Sequence, residues 1–347
     1  MTDPQSQSRY VSLKQRGRQL MADTELKDLT RDLTDITNAV DKLDNELARL
    51  RKRGYAFAAY LEQKVTVLGQ RWQSVRQGAH AALGDEIMRL RADRRQAEML
   101  LDKSEAVSSH PGALESILPS LDNELKQLDT TIRAAEHRIK AQYQDLERDV
   151  NQTVEQLRDI HWYLDQQDEA SFPLLAEEKL FLVAEAESQL TGRGKDDPDG
   201  LLYLTDQRLV FEQKEKTGKK LGLFGGKHTQ EMAWEAPLHL VEQVEAENKG
   251  LFGGKDLLHF TMGAGAPFPR ITVEVKGKAK CKFWAAQIDR MIQGGASDER
   301  AIQPDQETLE SIRNAPTACP VCGATLPRLV ANQRQTECAY CGTVVRV

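Results

Sequence analysis

Cys319, Cys322, Cys338 and Cys341 form a C-x2-C-x15-C-x2-C array, the pattern with the clearest chemistry in this 347-residue sequence. Two C-x2-C pairs each present two thiolates from one tight turn, and four such soft donors meet the tetrahedral demand of Zn²⁺. Each pair is followed by a glycine, Gly323 and Gly342, which can take φ > 0 and turn backbone N–H groups toward the sulfurs. Pro320 stiffens the first turn. CPVCG and CAYCG therefore read as two knuckles of one zinc ribbon, its charge softened by those N–H groups and by Arg328 or Arg334. Four protein ligands leave no open coordination position, so the expected role of the single Zn²⁺ is structural. The same spacing fits a rubredoxin-like iron site. Two disulfides would suit a secreted protein, but residues 1 to 20 are polar, without the apolar stretch of a signal peptide. The fifth cysteine, Cys281, lies in the amphipathic run KAKCKFWAAQIDRMI and reads as a half-buried small hydrophobe.

Catalytic patterns are missing. The seven histidines include no H-E-x-x-H and no ligand pair at i,i+4 spacing, and there is no G-x-S-x-G, kinase or dinucleotide signature. The expectation is a non-enzymatic protein without a small-molecule substrate. A second unusual pattern is the string Gly-Leu-Phe-Gly-Gly-Lys, present at 222–227 and again at 250–255. It is no phosphate-binding P-loop, because G-x4-G-K-[ST] needs a hydroxyl where His228 and Asp256 stand. Lys219, Lys220, Leu223, Phe224 and Lys227 in the first copy, and Lys249, Leu251, Phe252 and Lys255 in the second, combine an apolar wedge with flanking cations. Such loops suit an anionic membrane surface, where each lysine adds ~1 kcal/mol. They equally suit a protein interface anchored by Leu-Phe pairs, or packing within the barrel with Gly-Gly as a turn.

The elements that position these groups follow from periodicity. Leu29, Leu33, Ile36, Val40, Leu43, Leu47 and Leu50 alternate steps of three and four, a heptad seam. After a break at Arg53-Gly54 the pattern resumes from Phe57 to Leu101, stops at Ser108-Ser109-His110-Pro111-Gly112, and runs again from Leu114 to Leu164. A helix over 24–106 would reach ~120 Å and fold against a second of ~80 Å, with a kink near Gly54 offering a three-helix alternative. Part of the seam would stay uncovered, so homo-oligomerisation through the rod is expected. The clusters Arg49, Arg51, Lys52, Arg53 and Arg89, Arg91, Arg94, Arg95 read as solvated flanks making i,i+4 ion pairs, in preference to the basic face of a membrane-bending rod.

Past Ser171-Phe172-Pro173 the period changes to short β runs: LFLVAEAESQL, GLLYLTDQRLVFEQ, HLVEQVEAE, DLLHFTM and RITVEVKG, closed by one amphipathic helix near 279–292. Six or seven antiparallel strands with a C-terminal helix describe a small orthogonal barrel. The motifs LLAEEKLFLVAEAESQL and GLLYLTDQRLVFE make residues 174 to 293 similar to GRAM and bacterial pleckstrin-homology-like domains. That resemblance implies the barrel fold and a binding role toward acidic lipid head groups or proteins. It assigns no ligand residue. Lys276, Lys278, Lys280 and Lys282 add a basic stretch that reads first as a solvated edge.

The expected chain is thus multidomain α+β: a polar N-terminal tail (1–23), an antiparallel coiled-coil rod (24–170), a GRAM/PH-like domain (174–293), a linker (294–316) and a zinc ribbon (317–347). With 29% charged residues, 6% aromatic residues and a formal net charge of −6, part of the chain must be long and solvated, and coating of nucleic acid by overall charge is excluded. The ribbon offers Arg328, Arg334, Arg346 and only Tyr340 for stacking, so nucleic acid is an unlikely partner. The expected role is a cytoplasmic scaffold at the inner face of a membrane, with a protein adaptor as the alternative.

Overall fold

The computed structural model describes residues 4–189, 197–217, 227–249, 254–331 and 333–346. Two compact units divide the chain, Met1–Asn45 with Glu62–Glu155, and Glu46–Leu61 with Gln156–Val347.

The first unit takes in α1 (Pro4–Asp23), most of α2 (Lys27–Lys52) and of α3 (Tyr60–Ala106), α4 (Pro111–Lys140) and the first half of α5 (Gln144–Asp168), the remaining residues of α2, α3 and α5 belonging to the second unit. These helices make three passes. Arg9 pairs with Asp122 at 3.3 Å and Arg16 with Asp129 at 3.1 Å, a constant offset in sequence that makes α1 and α4 parallel. Between Lys14–Glu105 and Arg94–Glu25 the indices move in opposite senses, as they do between Glu86–Arg138 and Arg71–Asp149. Hence α3 runs antiparallel to both other passes, and its 47 residues span ~70 Å. The three heptad seams meet inside, with Leu33, Leu90, Leu121, Leu125 and Val150 completely buried.

One expectation, the polar tail, changes here, while the three-helix alternative and the ion-paired reading of the basic clusters agree with the helices and pairs observed. The break after Arg53 is a reversal rather than a kink in one long helix, with Gly54 at φ 92° and Ala58 at φ 57°. Arg51 secures the reversal by donating to the carbonyls of Tyr55, Phe57 and Ala58 at 2.7 to 3.1 Å. Residues 1–23, expected as a tail, contain α1, whose Tyr10, Leu13 and Leu20 are buried. The basic clusters are largely ion-paired: Arg49 with Glu46, Arg53 with Asp165 and Asp168, Arg89 with Glu86, Arg91 and Arg94 with Glu25.

In the second unit, β1 (Leu180–Ser188), β2 (Asp199–Thr205), β3 (Arg208–Thr217), β4 (Lys227–Pro237), β5 (Val241–Lys249), β6 (Lys255–Met262) and β7 (Arg270–Val275) form one antiparallel sheet in the order β4-β3-β2-β1-β7-β6-β5. Helix α6 (Cys281–Ile292) packs on β5 and β6 and buries Trp284, Ile288 and Met291. Seven strands in this order, plugged by one C-terminal helix, make a PH-like barrel. The period of two sends Leu202, Leu204, Leu209 and Phe211 to the inside. The opposite face is also covered: Val183, Leu201, Tyr203 and Val210 meet Phe172, Trp162 and Tyr163, and Phe181 meets Phe57 edge to face at 4.9 Å. Gly200 is required where β2 approaches β3, since a Cβ there would lie 2.0 Å from the Glu212 carbonyl oxygen.

Beyond the barrel come α7 (Gly295–Asp298), α8 (Gln306–Arg313), β8 (Gln335–Glu337) and β9 (Val344–Arg346). The stretch 294–316, expected as a linker, is anchored through its first half. Arg300 is buried over the Phe57 ring at 5.0 Å and pairs with Asp206. Ala301 N–H donates to Ala56 at 2.8 Å, and Ala59 N–H to Glu299 at 2.9 Å.

Candidate metal centre and docking surfaces

The four cysteines of the array converge. Their sulfurs lie within 4.8 Å of one another, with Cys319 to Cys341 at 3.6 Å and Cys322 to Cys338 at 3.5 Å. A disulfide would need ~2.05 Å, whereas a tetrahedron of sulfurs each ~2.3 Å from a central ion has edges of ~3.8 Å. The cluster therefore has the dimensions of a metal site.

The two knuckles repeat one local fold. Gly323 N–H donates to the Cys319 carbonyl and Gly342 N–H to the Cys338 carbonyl, both at 2.8 Å, while Cys319 N–H reaches Ala324 and Cys338 N–H reaches Thr343. Both glycines carry the positive φ that the turn demands, 74° and 71°. Amides of Cys322 and Val321 pull the Cys319 thiol below its ordinary pKa. The Thr343 hydroxyl and amide take Cys341 down to about 6. The Ala324 amide pulls on Cys322 too, but the crowding sulfurs of Cys341 and Cys338 drive that thiol up to about 12. Four thiolates this close need a cation among them. Cys319 and Cys338, with Leu326 and Val345, are also the ribbon's small core, so metal binding and folding are one event there.

The ribbon is docked on the barrel. Ala176 N–H donates to Leu329 at 3.0 Å and Ala331 N–H to Leu174 at 2.8 Å, flanking a bridge between Leu175 and Val330. Arg328 is engaged with Glu235 rather than with the thiolates. Glu235 in turn takes Arg208, whose guanidinium grips Glu178 at 2.8 and 2.9 Å and donates to the Pro173 carbonyl at 2.8 Å. Arg208 and Glu178 are 4% and 0% exposed. Thr205 Oγ1 and the Leu175 amide complete the carboxylate's shell. Sequence reasoning missed this knot, because Arg208 and Glu178 look like ordinary polar residues at strand ends.

The knuckle tips stay outside. Val321 and Tyr340 hold the same position in the two C-x-x-C turns and are 71% and 88% exposed, and Val344, four residues after Tyr340, is 51% exposed.

Of the expected loop residues, Lys219, Lys220, Leu223, Phe224, Leu251 and Phe252 lie outside the described residues. Of the residues that belong to or flank the two copies, Lys227 opens β4, Lys249 ends β5 and Lys255 opens β6. The ladders carry the β3–β4 hairpin past the Ser188 end of β1 and the β5–β6 hairpin in the opposite sense along it. A plain meander would send both the same way. Five of the barrel's described lysines have carboxylate partners. Lys249 lies 3.9 Å from Glu247, Lys255 pairs with Glu274, Lys276 with Glu187 and Asp199, Lys278 with Asp159, and Lys280 with Asp256. An open cleft of about 400 Å³ beside Trp162 and Gly200 contains Lys276 and Lys214, the latter paired with Glu169. Cys281 is buried at the start of α6, and that burial raises its thiol pKa, so it carries no reactive thiolate. No described helix is long and apolar enough to cross a membrane.

No family model matches the sequence, and no curated protein matches it. Solved structures similar to it include the Vps36 N-terminal PH domain, at 15% identity and TM-score 0.26 over 37% of this chain and 89% of that one. Another is a PH-domain protein of the DUF1696 family from Shewanella loihica, at 18% identity and TM-score 0.19 over 34% and 78%. The DH/PH domains of PDZ-RhoGEF in complex with activated RhoA align over 82% of this chain and 95% of that one, at 13% identity and TM-score 0.28. Superpositions this loose leave the PH-like assignment resting on the strand order and the plugging helix.

Proposed function

We propose that this chain is a non-enzymatic, self-associating scaffold whose zinc ribbon, braced against a PH-like barrel, docks a protein partner. The observation that carries this reading is the placement of Val321 and Tyr340. They are large apolar side chains at matching positions of two rigid knuckles, turned to solvent on a module tied to the barrel by two backbone hydrogen bonds and the Arg328–Glu235 pair. Rigid, preorganised aromatic anchors cost little entropy on binding. Zn²⁺ is the ion that four closed cysteine ligands select, with iron as the competitor at this spacing. The setting is cytoplasmic, where thiols stay reduced. Introducing a photo-crosslinking residue at Tyr340 in the zinc-loaded chain should capture one discrete partner, and Val321→Asp should abolish the capture. Absence of a discrete adduct would refute the reading.

A second reading, docking at an anionic membrane surface, is favoured by the recurrence of the Gly-Leu-Phe-Gly-Gly-Lys string in sequence between β3 and β4 and again between β5 and β6. It ranks second because the barrel lysines named above are already neutralised by carboxylates. Co-sedimentation with anionic but not neutral vesicles, lost on changing Leu223, Phe224, Leu251 and Phe252 to Ser, would promote it.

A further inference from the structure

We infer that the outward face of α3 is a homodimer interface that pairs antiparallel with the same face of a second copy. This names the surface for the self-association in the proposed function, and rests on that part of it. Val67, Ser74, Gly78, Ala81, Met88 and Met99 recur at helical spacing on one face, and all are exposed. In a chain with 29% charged residues, the face bears two charges between residues 63 and 92, Asp85 and Arg71, the latter paired with Asp149 at 2.8 Å. Arg89 and Arg95 flank it around the helix. Val67, Met88 and Met99 are 41%, 64% and 50% exposed, so the intramolecular bundle leaves the strip uncovered.

The glycine at its centre points outward too. A Cβ at Gly78 would meet only Gln142 Oε1 at 3.9 Å, so the bundle has no need of glycine there, although an interior glycine costs a helix ~1 kcal/mol. Gly69 and Gly84 of the same helix are as open, but Gly78 lies on the exposed strip, where an external backbone can approach closely. Small residues in the middle (Ser74, Gly78, Ala81) and larger ones outside (Val67, Met88) suit a two-fold axis near Gly78, which brings Val67 of one copy to the Met88 turn of the other. Charge selects the occupant. A phosphate-bearing surface calls for free cations, and the one cation on the face, Arg71, is paired with Asp149, whereas a second copy brings an equally charge-poor strip. About a two-fold axis near Gly78 the two faces overlap from residue 63 to 93, ~45 Å. At ~10 Å wide the overlap buries roughly 900 Å² over both partners, just under the ~1,000 Å² of a stable specific interface and in the range of a transient one. The dimer is therefore weak, in the micromolar range.

Sedimentation velocity of the zinc-loaded full chain, from about 1 to 100 µM, is the test. The wild type should dimerise reversibly without weakening in 0.5 M salt. Gly78→Glu should weaken dimerisation at least tenfold while its melting temperature holds or rises, since glutamate is the better helix former. Gly78→Cys, on the two-fold axis, should form a disulfide-linked dimer on oxidation. A wild type that stays monomeric, a Gly78→Glu variant that still dimerises, or dissociation by salt would each overturn the inference. The Tyr340 crosslink, repeated in Gly78→Glu, separates the two proposals: capture by a monomer leaves the docking reading standing, and loss of capture in a dimer removes it alone.

Discussion

Replacing Arg208 with methionine should cost the barrel unit about 4 kcal/mol. Arg208 and Glu178 are both sealed from water, and removing one partner strands the other as an uncompensated buried charge, a change worth ~3–5 kcal/mol. The loss extends beyond the pair, because the same guanidinium also holds the Pro173 carbonyl and Glu235. For a unit of about 200 residues, an unfolding entropy of ~2.1 cal/mol/K per residue converts 4 kcal/mol into a fall of roughly 10 °C in Tm. Differential scanning calorimetry of the zinc-loaded chain reads this directly, in the transition assigned to the unit containing the ribbon. The double variant Arg208→Met with Glu178→Leu removes both charges, and its loss should be clearly smaller than the sum of the single losses. A fall below about 2 °C for the single variant, or strict additivity in the double, would refute the view that a buried ion pair locks the β2–β3 turn to residues 173–178.

Three further outcomes are expected. Cys338→Ser should leave the chain with less than one zinc per molecule and an unfolded ribbon, seen as loss of metal by colorimetric chelator assay and protease cleavage beyond residue 316. The Arg138 hydrogen bonds hold the Glu86 carboxyl below the usual glutamate range. Between that folded value and the unfolded value of about 4.3 the unfolded chain binds the extra proton, so bundle stability is present above pH ~4.3 and falls as pH drops through the folded value. Acid titration followed by circular dichroism should show this limb, and Glu86→Gln should flatten it. Gly200→Ala places a Cβ against the Glu212 carbonyl oxygen and should destabilise β2–β3 pairing by at least ~3 kcal/mol; a soluble variant with wild-type Tm would contradict the register.

Much of this architecture was legible because burial repeats. Leu114, Leu118, Leu121, Leu125, Leu128 and Ile132 announce a seam, and all are buried. The cysteine array announced its own convergence, since ligand spacing is a property of the local turn. Helix α1 was not legible for a physical reason: its seam runs Tyr10, Leu13, Gly17, Leu20, Thr24, and two of those buried positions hold glycine and threonine. Gly17 is there because Leu101 would stand 2.7 Å from a Cβ, a fact about α3 that no local pattern contains. Phe57 was read as the resumption of a seam, whereas it sits in a reversal and packs on Phe181. Arg300 lay in a stretch whose composition resembles a linker, and only the distant Phe57 and Asp206 explain its burial. Long-range partners, not local propensity, account for each miss.

The contact between residues 55–59 and 299–302 also sets a timetable for biosynthesis. Tyr55 and Phe57 emerge early from the ribosome, but the strand that shelters Phe57 and the arginine that covers it arrive much later. At 5–20 residues per second, the ~240 residues separating Phe57 from Arg300 take roughly 10 to 50 s to make. Until β1 supplies Phe181, Phe57 is displayed on a nascent helical hairpin with no strand to pack on, and its second cover, Arg300, follows only after a further 119 residues.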